Sequence, residues 1–168
     1  MSAKTDETAE PAATDESTVT AATDETAEGQ SSQTEIEFAI AEVADVIRAR
    51  CAAREMSKRF GFGLADQVRF VTAVAELVQN ALQHAGGGKM KIFDECNEKW
   101  NRLRVVVEDQ GPGIKNFERI LANDFCNERN ALGTGLPGVK RLVTEFHIRS
   151  LPGRTCVEIA LVRIRQGV

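Results

Sequence analysis

The chain has 168 residues, 42% of them hydrophobic, which is room for one ordinary domain and an appendage. No run approaches the roughly 18 apolar residues of a membrane span, and the polar, acidic start lacks the basic and apolar regions of a secretory signal. A soluble, cytoplasmic protein is expected. The net charge of −4 is unevenly spread: residues 1–33 hold eight acids against Lys4, a net −7, which leaves residues 34–168 at about +3. That body suits an anionic ligand but is too weakly basic for nucleic-acid binding.

Residues 1–33 carry a degenerate nine-residue repeat: Thr5-Asp6-Glu7-Thr8, Thr14-Asp15-Glu16-Ser17 and Thr23-Asp24-Glu25-Thr26. With almost no large apolar side chains, burial cannot offset the entropy of ordering them, so a disordered, solvating tail is expected. The folded domain should span residues 34–168.

Glu35 to Ile40 alternates polar and apolar, as a half-buried strand does. Helical spacing follows from Ala41 to about Phe60, with Val43, Val46, Ile47, Ala53 and Met56 as core candidates. Gly61-Phe62-Gly63 should stop that helix. A second helix is expected from Leu64 to about Ala85, its stripe formed by Val68, Val71, Ala75, Val78 and Leu82, with Gly86-Gly87-Gly88 ending it. Strands are expected at Lys89–Cys96 and Arg102–Asp109 around an Asn97-Glu98-Lys99 turn. A short helix follows over 116–122, then a loop over 123–134. A last helix should carry Pro137 in its first turn and run to Glu145. Strands at about His147–Leu151 and Thr155–Ile164 close the chain. The pattern predicts an α+β two-layer sandwich, with helices on one face of a mixed, largely antiparallel sheet.

Cysteines 51, 96, 126 and 156 never form a C-x-x-C pair, and His84 and His147 lack zinc-ligand spacing, so no structural metal is expected. Three clusters bear chemistry. Glu76 and Asn80, four apart on the second helix, point the same way; a carboxylate and a carboxamide so placed can accept a proton and ligate Mg²⁺. Glu108-Asp109-Gln110-Gly111-Pro112-Gly113-Ile114 follows a strand. Its Asp109 can accept from an exocyclic amine, while Gly111 and Gly113 let backbone approach a flat ring. Gly133-Thr134-Gly135-Leu136-Pro137-Gly138 opens a helix whose exposed amides and dipole attract phosphate, with Lys140 and Arg141 one turn on. The last cluster is neither a P-loop nor a dinucleotide fingerprint.

In this order, about 30 residues apart, the clusters resemble the N, G1 and G2 boxes of the GHKL ATPases, and the likeness covers residues 34–168. Glu108-Asp-Gln-Gly-Pro-Gly-Ile114 and Gly135-Leu-Pro-Gly-Val-Lys-Arg141 look most like the RsbT-type switch serine/threonine kinases of the stressosome. The resemblance implies a Bergerat-type pocket for ATP and Mg²⁺. Asn80 would hold the metal, Glu76 would accept the substrate proton, and Asp109 would bind the adenine amine. Gly111 and Gly113 would shape the ring site, and Gly133, Thr134, Gly135, Leu136 and Lys140 would attend the phosphates. It also implies partners: STAS-domain scaffold or antagonist proteins and a PP2C-type phosphatase, or alternatively a sigma factor sequestered by an anti-sigma kinase. One departure stands out, since the 123–132 segment is more polar and poorer in glycine and serine than such a lid usually is.

Overall fold

A computed structural model describes residues 33–122 and 135–165, so the acidic tail and the 123–134 segment lie outside the described residues. Five strands, β1 (Gln33–Ile40), β2 (Gly88–Cys96), β3 (Trp100–Asp109), β4 (Glu145–Leu151) and β5 (Arg154–Ile164), form one sheet in the order β1-β2-β3-β5-β4. Every pairing is antiparallel, which corrects the expected mixed sheet. Helices α1 (Val43–Arg59), α2 (Leu64–Ala85) and α4 (Gly135–Leu142) complete the sandwich, with α3 (Phe117–Ala122) packed on α4.

The core lies between sheet and helices. Met90, Ile92, Leu103, Val105, Val107, Val157 and Ile159 meet Phe70, Val74, Leu77, Val78 and Val139. The buried ridge of α2 is therefore Phe70, Ala73, Val74, Leu77, Val78 and Ala81, rotated from the predicted stripe: Val68 is 58% exposed, and Val71 and Leu82 are only half-buried. On α1, Ala53 and Met56 are buried as expected, but Val43 and Ile47 face outward. The inner face is instead built on Asp45, Ala49, Ala53, Met56 and Ser57. Asp45 is fully buried because it has a task there: its Oδ2 accepts the Ala41 and Glu42 N–H groups at 2.7 and 2.9 Å, and Oδ1 pairs with Arg48. It thereby satisfies orphan donors at the helix start, which repays the loss of hydration.

Two glycine breaks set the path of α2. Gly61, at φ +71°, turns the chain out of α1, and the Gln67 amide donates to the Phe62 carbonyl at 2.7 Å. At the other end Gly86, at φ +73°, caps the helix, its N–H and that of Gly87 reaching the Leu82 and Ala81 carbonyls, each at 3.1 Å. The Asn97–Lys99 turn is closed by Asn97 Oδ1, which accepts from the Lys99 and Trp100 amides. Helix α4 stops at Leu142, short of the predicted Glu145. The Thr144 N–H donates to Ala160 O at 2.9 Å and Glu145 is taken by Arg102, so these residues join the sheet.

Among the described residues the sheet's other face carries no helix. Its centre is sealed by an ionic lattice instead: Arg102 pairs with Glu95, Glu145 and Glu158, and Arg104 with Glu95 and Glu158, while Arg104 also lies 4.0 Å over the Phe93 ring. The aliphatic stems of these side chains cover Val106, which is only 8% exposed although it points away from the helices. Among the described residues no helix is long and apolar enough to cross a membrane.

Candidate functional site

Helix α2 rises toward the end of the sheet where β3 finishes and β5 begins, and α4 starts at the same end. A cavity of about 490 Å³ opens there, within the usual range for a small-ligand site. Its floor is Val107 and Val157, one wall is Leu77, Asn80, Ala81 and His84 of α2, and the rim includes Pro112, Gly113, Ile114, Lys115, Gly135 and Leu136. Asp109 and Thr155 supply polar groups to it. An apolar floor with a carboxylate at one end suits a flat heterocycle bearing an amine. A larger groove of about 630 Å³ lies on the other side of Asp109, along Gly86, Gly87 and Gly88. Its lining is made of strand and helix ends and glycine turns with the charged side chains of Lys89, Glu108 and Arg154, and offers no comparable floor for a ring.

The geometry around Asp109 is tightly tied. It is the last residue of β3, and its Oδ1 accepts the Gly111 N–H at 2.9 Å. The Gly111 carbonyl in turn accepts from the Gly153 N–H at 2.9 Å, pinning the loop to the β4–β5 turn. The Ile114 N–H donates to Ser150 Oγ at 2.8 Å, and Ser150 Oγ lies 2.9 Å from Thr155 Oγ1. Gly113 has no alternative: at φ +78°, a Cβ there would sit 2.7 Å from the Leu151 carbonyl oxygen. At Gly111 a Cβ would meet that of Ala85 at 2.8 Å, so this loop packs directly on the end of α2.

The structure thus gathers Asn80, Asp109, Gly113, Gly135 and Leu136, drawn from three separated segments, around one cavity. Gly111 supports it from behind rather than lining it. Glu76 sits half-buried one turn before Asn80 and outside the cavity wall, and Lys140 lies on the exposed side of α4. Gly133 and Thr134 fall outside the described residues, as does the lid segment. Among the described residues no group of three His, Cys, Asp or Glu side chains could hold a metal unaided.

With this geometry the comparisons with known proteins agree. A family model described as the histidine kinase-like ATPase domain matches residues 39–161. The chain belongs to that family. It is 39% identical over 109 residues to the serine/threonine-protein kinase RsbT of Bacillus subtilis (strain 168), covering 65% of this chain and 81% of that protein. It is 28% identical over 86 residues to the anti-sigma F factor of Thermoanaerobacter sp. (strain X514), covering 49% of this chain and 60% of that one. The crystal structure of the RsbU and RsbW domains of Rv1364c from Mycobacterium tuberculosis shares the fold, with a TM-score of 0.53 at 20% identity over 79% of this chain and 34% of that one. Within the histidine kinase-like ATPases the chain stands with the RsbT-type serine/threonine kinases, and it is an ATP-using enzyme of that class.

Three polar lining residues of this ATPase domain were not among the candidate site residues read from the sequence. Thr155 is 3% exposed and directly opposite Asp109 in the β3–β5 register, so both side chains project to the same face of the sheet. Its signal was weak, a lone threonine after a Pro-Gly turn. His84 follows Asn80 by one helical turn, a spacing that the sequence did display. Lys115 trails the glycine loop, and only its place at the rim connects it to the site.

Proposed function

We propose that the protein transfers the γ-phosphoryl group of ATP to a serine or threonine of a STAS-domain regulatory partner, and that it afterwards binds and activates a PP2C-type phosphatase. The observation carrying this reading is the single cavity bounded by Asn80, Asp109 and the start of α4. The likeness to RsbT supports the direction of transfer to a hydroxyl group.

In this reading the adenine lies on Val107 and Val157. Its exocyclic amine donates to Asp109, and the Thr155 hydroxyl stands beside as a second polar group for the ring edge. The triphosphate points toward the N-terminal end of α4 at Gly135 and Leu136, where amide N–H groups and the helix dipole attract it. Mg²⁺ usually keeps several waters and takes few protein ligands besides phosphate oxygens, so the Asn80 carboxamide oxygen fits as its one protein ligand. The bound metal would neutralise charge on the phosphates. Glu76, one turn earlier on α2, accepts the proton as the partner's hydroxyl oxygen attacks the γ-phosphorus. The bond to the bridging oxygen breaks and ADP leaves with both electrons of that bond. Positioning and charge neutralisation account for most of the rate in this chemistry.

The test incubates the purified protein with γ-labelled Mg-ATP and a STAS-domain partner. Label is expected on a partner serine or threonine, and Asn80→Ala is expected to abolish transfer. Glu76→Gln should lower the rate by about 10²- to 10⁴-fold while ATP still binds. The similarity to an anti-sigma F factor favours a second reading, sequestration of a sigma subunit with kinase activity toward its antagonist. Absence of label on the STAS partner, with stoichiometric co-purification of a sigma factor, would decide for that reading against the first.

A further inference from the structure

The outer face of α1 is basic. Arg50, Arg54 and Lys58 follow one another at four-residue intervals, all exposed, and therefore form one ridge along the helix. Among the described residues none of their side chains makes an ion pair or hydrogen bond. The neighbouring cations are engaged: Arg48 with Asp45, Arg69 with Asp66, Arg163 with the Gly61 carbonyl and Arg165 with Asn101. Glu55 is the one acid on the exposed side of the helix near this ridge.

We propose that the acidic segment of residues 1–32 docks on this ridge of its own chain. Charge complementarity is the first argument, because that segment carries eight acids against Lys4, while α1 holds five bases against two acids, one of them the buried Asp45. Where the segment joins the fold is the second. Gln33 pairs with Asp94 at the end of the sheet that also holds Cys96 and its partner Asn101. The Asn101 amide donates to the Phe60 carbonyl, just past the end of α1, at 3.1 Å. Gln33, to which the acidic segment is joined, therefore lies at the end of the sheet nearest the Lys58 end of the ridge. Reach is ample, since the 17 residues of α1 span about 25 Å and 32 extended residues span up to roughly 100 Å. Each exposed ion pair is weak, but a tether supplies an effective concentration of about millimolar, which populates contacts that would dissociate between free molecules. The nine-residue repeat offers an acidic pair in each copy, so several registers can satisfy the same three cations.

Zero-length carbodiimide cross-linking of the full chain at low ionic strength, read by mass spectrometry, tests this. Lys58 is expected to couple to Asp or Glu side chains between Asp6 and Glu28. The yield should fall at least fivefold in 1 M NaCl, where the screening length shrinks to about 3 Å. Replacing the eight acids by Asn or Gln should remove the product, and R50Q with R54Q should reduce it while leaving Lys58 in place. Tail cross-links that fall mainly on Lys89, Lys91, Lys99, Lys115 or Lys140 would overturn the proposal. So would no tail cross-link at all, or a Lys58 yield unchanged in the R50Q/R54Q variant.

Discussion

At the level of single residues, Asp109 carries the most specific expectation. Its Oδ1 already holds the Gly111 amide, so Asp109→Asn keeps that loop bond while removing the charge. A hydrogen bond from adenine to a charged acceptor is worth about 1.5–3 kcal/mol, so ATP affinity should fall about 10- to 100-fold by calorimetry. The guanine ring presents a carbonyl where adenine has its amine, and the Asn nitrogen can donate to it. The preference for ATP over GTP should therefore narrow in the variant. An unchanged ratio would place the amine elsewhere. Cys96 offers a pH-dependent check on the opposite end of the sheet. Burial, reinforced by the Asp94 carboxylate, pushes its thiol up to about 11. The raised value means that the thiol stays protonated through neutral pH and gains thiolate steadily up to that value. Its thiolate fraction at pH 8 is about 100-fold low, while the more basic sulfur is a better nucleophile, so exchange with a disulfide reagent should run roughly tenfold slower than for an ordinary thiol. The rate should still be climbing at pH 10, and a plateau below pH 9 would contradict the Asp94 contact.

Among the elements, strands and turns were legible because their determinants are local. Alternation marked β1, and the glycines of 61–63 and 86–88 ended the helices where the structure ends them. The rotation of α2 was misread although it was legible: Arg69, Thr72, Glu76, Gln79 and Gln83 recur at helical spacing and mark the outer side, opposite the Phe70 ridge. Packing against Met90 and Ile92 selects the Phe70 ridge. On α1 the inner face holds Asp45, Ala49 and Ser57 beside the expected Ala53 and Met56, and a hydropathy pattern reads the aspartate and the serine as surface. This gives a direct comparison in denaturant. Phe70→Ala should cost about 3–5 kcal/mol, whereas Val68→Lys, though it charges a residue of the predicted stripe, should stay within about 0.5 kcal/mol. Equal losses at the two positions would favour the original phase. Asn80, Asp109, Gly113, Gly135 and Leu136, which meet at the cavity, could be singled out for the same reason as the turns: each sits in a contiguous cluster. Thr155 and Lys115 were not, because only the β3–β5 register and the folding of the glycine loop bring them to the cavity.

For the whole molecule, the consequence is coupling between ligand and fold. The cavity draws on the C-terminal part of α2, the end of β3, the start of α4 and the first residues of β5, segments that part company when the chain unfolds. The unfolded chain has no such site, so nucleotide binding adds directly to global stability. At an ATP concentration of about 100 Kd the gain is about 2.7 kcal/mol. In a domain of this size that corresponds to a rise in Tm of roughly 10 °C. Asp109→Asn at the same ATP concentration should retain at most about half of the gain, because the gain follows the logarithm of the ratio of ligand to Kd. Glu76→Gln should retain all of it, since Glu76 lies outside the cavity wall and in the proposed mechanism acts only on the partner's proton. The pair of variants therefore separates binding from transfer. If Glu76→Gln lost the thermal shift together with the label transfer, the division of labour along α2 would be wrong, and Glu76 would belong with the residues that hold the nucleotide.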